Sequence, residues 1–263
     1  MEKPIDILIF GGQSNMQGQT EGLPAANEAV PDAWEYRHLS DSLVPLKHPV
    51  GECIDGGLLF GADQGHGSLV PAFCGAYCRI TGHRAVAIHA ARGATAVSQW
   101  LPGTERYAAA LAKLRGGIRK ATELGSVGRI FYIWLQGESD AIARTSTESY
   151  IRMLTAYKNA LKEDAGIDRF CIIEVGYFCG TVTWIRDRTR EEGIACDEAI
   201  MAAQEQLPAL DPDFVLLTDI CKRLSLDPCS INPHAQGHYN NAAMTVIGTQ
   251  AGTALAQLPV SNI

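Results

Sequence analysis

Residues 5–16 read Ile5-Asp6-Ile7-Leu8-Ile9-Phe10-Gly11-Gly12-Gln13-Ser14-Asn15-Met16. The first six form a short apolar run, the pattern of a strand buried on both faces, and Gly11-Gly12 then lets the backbone turn sharply. Four similar runs follow, at Ala85 to His89, Ile130 to Leu135, Phe170 to Val175 and Phe214 to Leu217. Between them apolar residues recur three or four apart, which marks helices with one buried face. Examples are Tyr107, Leu111, Leu114 and Ile118 after Thr104, and Tyr150, Leu154, Tyr157 and Leu161 after a capping box from Thr145 to Glu148. Further helices are expected at about 191–207 and 241–258, and at 69–80 with Gly82 as terminator. Strands alternating with helices give parallel pairing and right-handed crossovers. The expected fold is therefore α/β: a three-layer α/β/α sandwich around a five-stranded parallel sheet, in a single domain spanning residues 1–263. The stretch from Gln17 to Gly67 breaks this rhythm and is too long for an inert connection, so it is expected to shape a site.

Composition narrows the function. A chain of 263 residues, 46% hydrophobic and 19% charged, suits one sizeable soluble core. Twenty-two Lys and Arg against 29 Asp and Glu give a formal net charge of -7, which repels polyanions, so nucleic acid is not an expected partner. No run approaches the roughly 20 apolar residues of a membrane span, and no membrane role is expected. The apolar segment at Ile5 to Phe10 is too short for a signal-peptide core, which makes a cytoplasmic location the expectation. The eight cysteines are read as buried thiols. With no Cys-x-x-Cys and no His pair at ligand spacing, no metal site is expected.

In an open parallel sheet, ligands bind beyond the carboxyl ends of the strands. Three polar, Gly-containing turns fall there: Gly11 to Met16 after the first strand, Ala91-Arg92-Gly93-Ala94-Thr95 after the second with Trp100 downstream, and Gln136-Gly137-Glu138-Ser139-Asp140 after the third. A serine on such a turn offers its hydroxyl to a base, although Ser14 could equally cap the following helix. Gly93 lacks a Cβ, so its amide can approach a ligand closely, or it is a plain loop glycine. Glu138 and Asp140 stand two apart and point to opposite sides of an extended chain, which argues against a paired acid and base. Glu138 is expected to hold loop amides and Asp140 to cap the next turn. Histidine suits a general base near neutral pH. His38, His48, His66 and His83 fall in loops or helix ends, His89 closes the second strand, and His234 and His238 precede the last helix.

Taken together, GQSNM, the Gly-Ala-Thr block with a Trp downstream, QGESD, and His238-Tyr239-Asn240 with Gly248 beyond it resemble the SGNH hydrolases. Within them the chain is similar to the sialate O-acetylesterase and acetylxylan esterase group, the carbohydrate esterase family 6-like enzymes. The resemblance implies a serine esterase acting on an acetylated carbohydrate, sialic acid or acetylated xylan, with no metal or organic cofactor. Ser14 would be the nucleophile and His238 the base, with His234 in reserve. The oxyanion hole would combine the Ser14 and Gly93 amides with Gln136, since Ser139 stands where many SGNH enzymes carry Asn. Gln13, Glu138, Trp100 and Arg92 are the candidate substrate contacts. Trp34 and Trp184 are further candidates for sugar stacking, and Arg186, Arg188 and Arg190 for a sugar carboxylate unless they form a solvated face.

One position departs from the group. Its Asp-x-x-His places an acid three residues before the histidine, and here that position is Ala235. Asp227 could fold back to replace it, or a backbone carbonyl or water could hold the ring as a Ser-His dyad. Losing the orienting acid of a triad can cost about 10⁴ in kcat. The alternative reading is therefore a weak or inactive carbohydrate-binding protein on the same fold. A phosphate-binding flavodoxin-like protein is disfavoured, because the first turn lacks the Lys and spacing of a P-loop.

Overall fold

The computed structural model describes residues 3–52, 59 and 65–259. The five expected strands form as β1 (Ile5–Gly12), β4 (Arg84–Ala91), β5 (Val127–Leu135), β6 (Arg169–Ile173) and β7 (Phe214–Thr218), all paired in parallel. The sheet nevertheless has seven strands, not five, in the order β3-β2-β4-β1-β5-β6-β7. The additional β2 (Ala33–Arg37) and β3 (Ser42–Pro45) lie inside the irregular 17–67 stretch. β2 pairs in parallel with β4, and β3 closes the edge antiparallel to β2. β3 is a short edge strand nowhere fully buried, and β2 just inside it is interrupted by Glu35 and Arg37, so neither carries the continuous apolar run that marks a central strand.

All eight residues of β1 are buried, as expected for the strand held between β4 and β5. Its one charge, Asp6, accepts from the Tyr77 hydroxyl, the Arg129 amide and guanidinium, and pairs with His83. Burial pushes this carboxyl up, but those bonds together hold it below the ordinary range.

The helices are α1 (Ser14–Gln17), α2 (Val70–Thr81), α3 (Glu105–Ala121), α4 (Glu138–Ile142), α5 (Thr147–Ala165), α6 (Arg190–Leu210), α7 (Ile220–Ser225) and α8 (Asn241–Ala256). The Thr104 hydroxyl caps α3, and α2 stops at Gly82 in the left-handed region. The cap of α5 is Ser146, one residue beyond the expected Thr145, whose hydroxyl turns instead to Asp140.

α2 and α8 pack together over one face of the sheet, where Phe10 meets Phe73 edge-on at 5.2 Å. α3 and α5 cover the other face, around an aromatic cluster in which Tyr132 and Tyr157 share a 2.6 Å hydrogen bond between hydroxyls. Five cysteines (Cys74, Cys78, Cys171, Cys179 and Cys221) are buried thiols as expected. Cys196 is only partly buried, Cys229 is exposed on a surface turn, and Cys53 lies outside the described residues. Among the described residues no helix is long and apolar enough to cross a membrane.

The α2–α8 contact depends on missing side chains. A Cβ on Gly252 would lie 2.3 Å from the Phe73 carbonyl oxygen, a backbone atom that no rotamer change can move. Overpacking of this kind costs about 1–3 kcal/mol. Gly252→Ala is expected to destabilise the protein by about 2–3 kcal/mol, near the upper end of that range; a urea midpoint unchanged from wild type would show that the helices separate at no cost.

Candidate active site

The three turns meet because β1 is in register with both neighbours: Gly12 pairs with Ala91 of β4 and with Leu135 of β5. Gly12 has φ +142°, and a Cβ there would lie 2.1 Å from the Leu135 carbonyl oxygen, so the turn that carries Ser14 requires glycine. Beyond the strand ends lies a cleft of about 340 Å³ lined by Gln13, Ser14, Gln17, Gln19, Arg92, Gly93, Ala94, Ser139, Ile142, Phe178, Trp184 and His238. Ser14 begins α1, and its N–H meets no acceptor among the described residues. Ala94, at φ +56°, bends the loop that presents Gly93.

His238 shares the cleft with Ser14, and no hydrogen bond joins their side chains. Its Nδ1 lies 3.1 Å from the Gln236 carbonyl, which can only accept, so Nδ1 carries the proton and the lone pair is left on Nε2. Burial pulls the His238 pKa below its ordinary 6.5, outweighing bonds to the Gln236 and Ala235 carbonyls. Asp227 does not supply an acid. Its Oδ1 accepts from the Cys229 amide and its Oδ2 from the Ser230 hydroxyl, which makes it the cap of the Pro228–Ser230 turn and holds its carboxyl below the ordinary range. His234 is exposed and does not line the cleft, and His89 is buried on the Met16 carbonyl.

The third turn acts from behind. Gln136 is fully buried, and its Nε2 donates to Asp140 Oδ2 at 2.6 Å and the Thr95 carbonyl at 2.8 Å, so it is not the open oxyanion donor expected. It also reaches Gln13 Oε1 at 3.3 Å, which accepts the Ser139 amide at 3.1 Å as well. With its oxygen held, Gln13 has its amide NH₂ as the end available to a ligand, and Gln13 lines the cleft. Glu138 is buried rather than open to substrate, and Asp140 ties the third turn to the second through the Val97 amide.

Asn15 joins the outer parts. Its Nδ2 donates to Glu138 at 2.7 Å and to the Gly237 carbonyl at 3.2 Å, and its Oδ1 accepts the Tyr239 amide at 3.4 Å. Burial pushes the Glu138 carboxyl up, against the hydrogen bond from Asn15. The Asn232 side chain, bonded to the Gln19 carbonyl at 2.7 Å, pins the histidine loop a second time. Neither Asn15 nor Asn232 was singled out by sequence reasoning; for Asn15 the available signal was its place inside GQSNM.

Trp100 is 0% exposed and packs edge-to-face on Trp134 at 5.6 Å, so it is a core residue rather than a sugar contact. Its indole donates to Thr95 Oγ1, which bonds the Arg92 carbonyl, and so it braces the Gly93 loop from beneath. The exposed aromatic at the cleft is Trp184, 54% exposed, edge-on to Phe178 at 5.9 Å. Trp34 sits on β2, outside the cleft. Arg92 lines the cleft. Arg188 is committed to the Ala141 and Ile142 carbonyls and to Asp187, so it is a structural group.

The architecture is that of the SGNH/GDSL hydrolases. It is similar to a protein of Arabidopsis thaliana solved by X-ray diffraction (TM-score 0.72, 17% identity, 97% of this chain and 100% of that one). It is also similar to a carbohydrate acetylesterase from Xanthomonas citri (0.55, 16%, 95% and 55%) and to a putative GDSL-like lipase from Parabacteroides merdae (0.52, 11%, 97% and 98%). No curated protein sequence matches the chain. The family profile described as carbohydrate esterase, sialic acid-specific acetylesterase, matches residues 4–212, and the chain belongs to that family of carboxylic ester hydrolases. The match contains the first three turns and ends before His238.

Asn15→Ala removes ties between the first turn, the third turn and the histidine loop. It is expected to lower kcat/KM about 10- to 100-fold through displaced geometry and stability by about 1–3 kcal/mol through lost buried bonds. Unchanged ester hydrolysis in folded Asn15→Ala would show that the histidine loop holds its place without it.

Proposed function

We propose that this chain is a serine esterase that removes acetyl groups from a carbohydrate hydroxyl, with Ser14 as nucleophile and His238 as base. The observation that carries this reading is the convergence of Ser14, His238 and the Gly93 turn on one cleft. His238 Nε2 takes the proton as Ser14 Oγ attacks the ester carbonyl, and the tetrahedral oxyanion is met by the Ser14 and Gly93 amides. Gln13 takes the third-donor role in place of the buried Gln136. Collapse releases the sugar alcohol, which receives the proton from His238, and leaves an acetyl-serine; water then repeats the sequence and releases acetate. The Gln236 carbonyl orients the imidazole where a triad would have an acid. Trp184 offers a face for a sugar ring, Arg92 offers a cation beside it, and the small cleft favours a short acyl group.

Hydrolysis of 4-nitrophenyl acetate, butyrate and octanoate tests this. Acetate-selective turnover is expected, falling by at least 10³ in Ser14→Ala and in His238→Ala, and staying within about threefold of wild type in Asp227→Ala and His234→Ala. The second reading, a binding protein on an esterase fold, is favoured by Ala235; it gains if folded wild type shows neither Ser14-dependent turnover nor fluorophosphonate labelling of Ser14.

The pH profile checks the histidine separately. A base whose pKa is lowered stays neutral to lower pH, so the acidic limb of kcat/KM is expected below 6.5. A limb at or above 7 would require a carboxylate beside the ring.

A further inference from the structure

Beside the cleft lies a second, larger cavity of about 620 Å³ that the proposed mechanism does not use. Its walls come from segment 179–190, which leads from β6 into α6, and from segment 225–237, which leads to His238. Cys179 and Gly237 line it, while their chain neighbours Phe178 and His238 line the cleft. Ligand pockets commonly measure about 300–1,000 Å³ and combine an apolar lining with a few placed polar groups. Here Val182, Ile185, Leu226, Pro228, Ile231 and Pro233 form the apolar part, and among the described residues no Asp or Glu lines the cavity.

Several polar groups of the wall are committed within the protein. The Thr181 and Ser225 hydroxyls donate to the Tyr177 and Lys222 carbonyls, and Arg188 to Ala141, Ile142 and Asp187. Two donors remain. Arg190 spends its Nε on the Gly180 carbonyl at 3.3 Å, and its Nη groups meet no acceptor among the described residues. Gln236 Oε1 accepts the Thr183 amide and hydroxyl, both at 3.0 Å, which leaves its NH₂ as the open end. The neighbouring carboxylates are engaged elsewhere: Asp197 accepts the Cys179 and Gly180 amides, Glu192 caps α6 and Asp227 caps its own turn. An apolar wall with a guanidinium and an amide donor, and no carboxylate, suits a ligand with an apolar body and one anionic end. We propose that this cavity is a second binding site, separate from the cleft, for an apolar organic acid whose acid group meets Arg190. The ligand would rest against Gln236, the residue whose carbonyl orients His238. Its binding goes beyond the esterase reading and does not depend on it.

The probe is anilinonaphthalene sulfonate, two apolar ring systems bearing one acid group, whose fluorescence rises in an apolar site. Its neutral counterpart is N-phenylnaphthylamine. Wild type is expected to bind the sulfonate saturably and to gain in thermal midpoint, as binding to the native state requires. Arg190→Gln is expected to weaken the sulfonate about tenfold, the worth of one charged hydrogen bond, and to leave the neutral probe within about threefold. Leu226→Asp places a carboxylate in the acid-free lining at a side chain 55% exposed, where the fold tolerates it, and is expected to weaken the sulfonate more than Leu226→Asn does. Arg92→Gln, which alters the cleft alone, is expected to leave sulfonate binding unchanged. Absence of saturable binding, or binding without a raised midpoint, overturns the proposal. Sulfonate binding that Arg190→Gln leaves unchanged, or that Arg92→Gln weakens instead, overturns it as well. Equal affinity of wild type for the two probes removes the acid from the ligand class and overturns that part. Binding that needs Arg190 but not Arg92 supports the site whether or not the protein hydrolyses any ester, so failure of the Ser14 esterase reading leaves it standing.

Discussion

Parallel pairing of β1 with β4 and β5 is the constraint on which the rest depends. Because Gly12 stands level with Ala91 and Leu135, three chain segments more than 40 residues apart leave the sheet at one height and turn over the same edge. Their polar turns cannot avoid one another. The buried Asp6 makes that register hard to slip, since a one-residue shift would take its carboxylate away from Tyr77, Arg129 and His83. The hydrogen bonds among Gln13, Gln136, Ser139, Thr95 and Asp140 then fix the turns relative to one another. The first two strands therefore deliver Ser14 and the Gly93 amide, while the third builds the support beneath them.

The histidine arrives by another route. It comes from a loop after the last strand, and side-chain amides place it: Asn15 reaching the Gly237 carbonyl and the Tyr239 amide, and Asn232 reaching the Gln19 carbonyl. Glu138 anchors Asn15 from inside. An acid of the QGESD block thus helps to place the histidine through Asn15 instead of pairing with it.

The central strands, the long helices and the convergence of the turns were legible because each is written in a local period or a glycine turn. β2 and β3 were not, since strands of five and four residues interrupted by polar side chains carry no continuous apolar run. Roles that depend on which way a side chain faces were the least legible. Gln136 and Trp100 have the right chemistry and the right distance from the motifs, but one is consumed by buried acceptors and the other by the aromatic core. Gln13 and Trp184 occupy the cleft in their place, and only the packing of three separate turns decides between Gln13 and Gln136.

In the proposed Ser14–His238 mechanism, Ala235 in place of an acid changes what the site must do. In a triad the carboxylate both orients the imidazole and stabilises the cation formed when the serine proton moves. Here the Gln236 carbonyl performs the first task, because an acceptor fixes the tautomer as well as a carboxylate does. The second task is only weakly met: a carbonyl is a dipole rather than a charge, and burial works against the imidazolium. A base in this position is neutral and ready over a wide pH range, yet it accepts the proton less willingly. More of the barrier must then be lowered on the oxyanion side, where donors act in a partly dry cleft. Under the proposed mechanism that makes the Gly93 amide, which here donates to Gln17 Oε1, more consequential than in a site with a full triad.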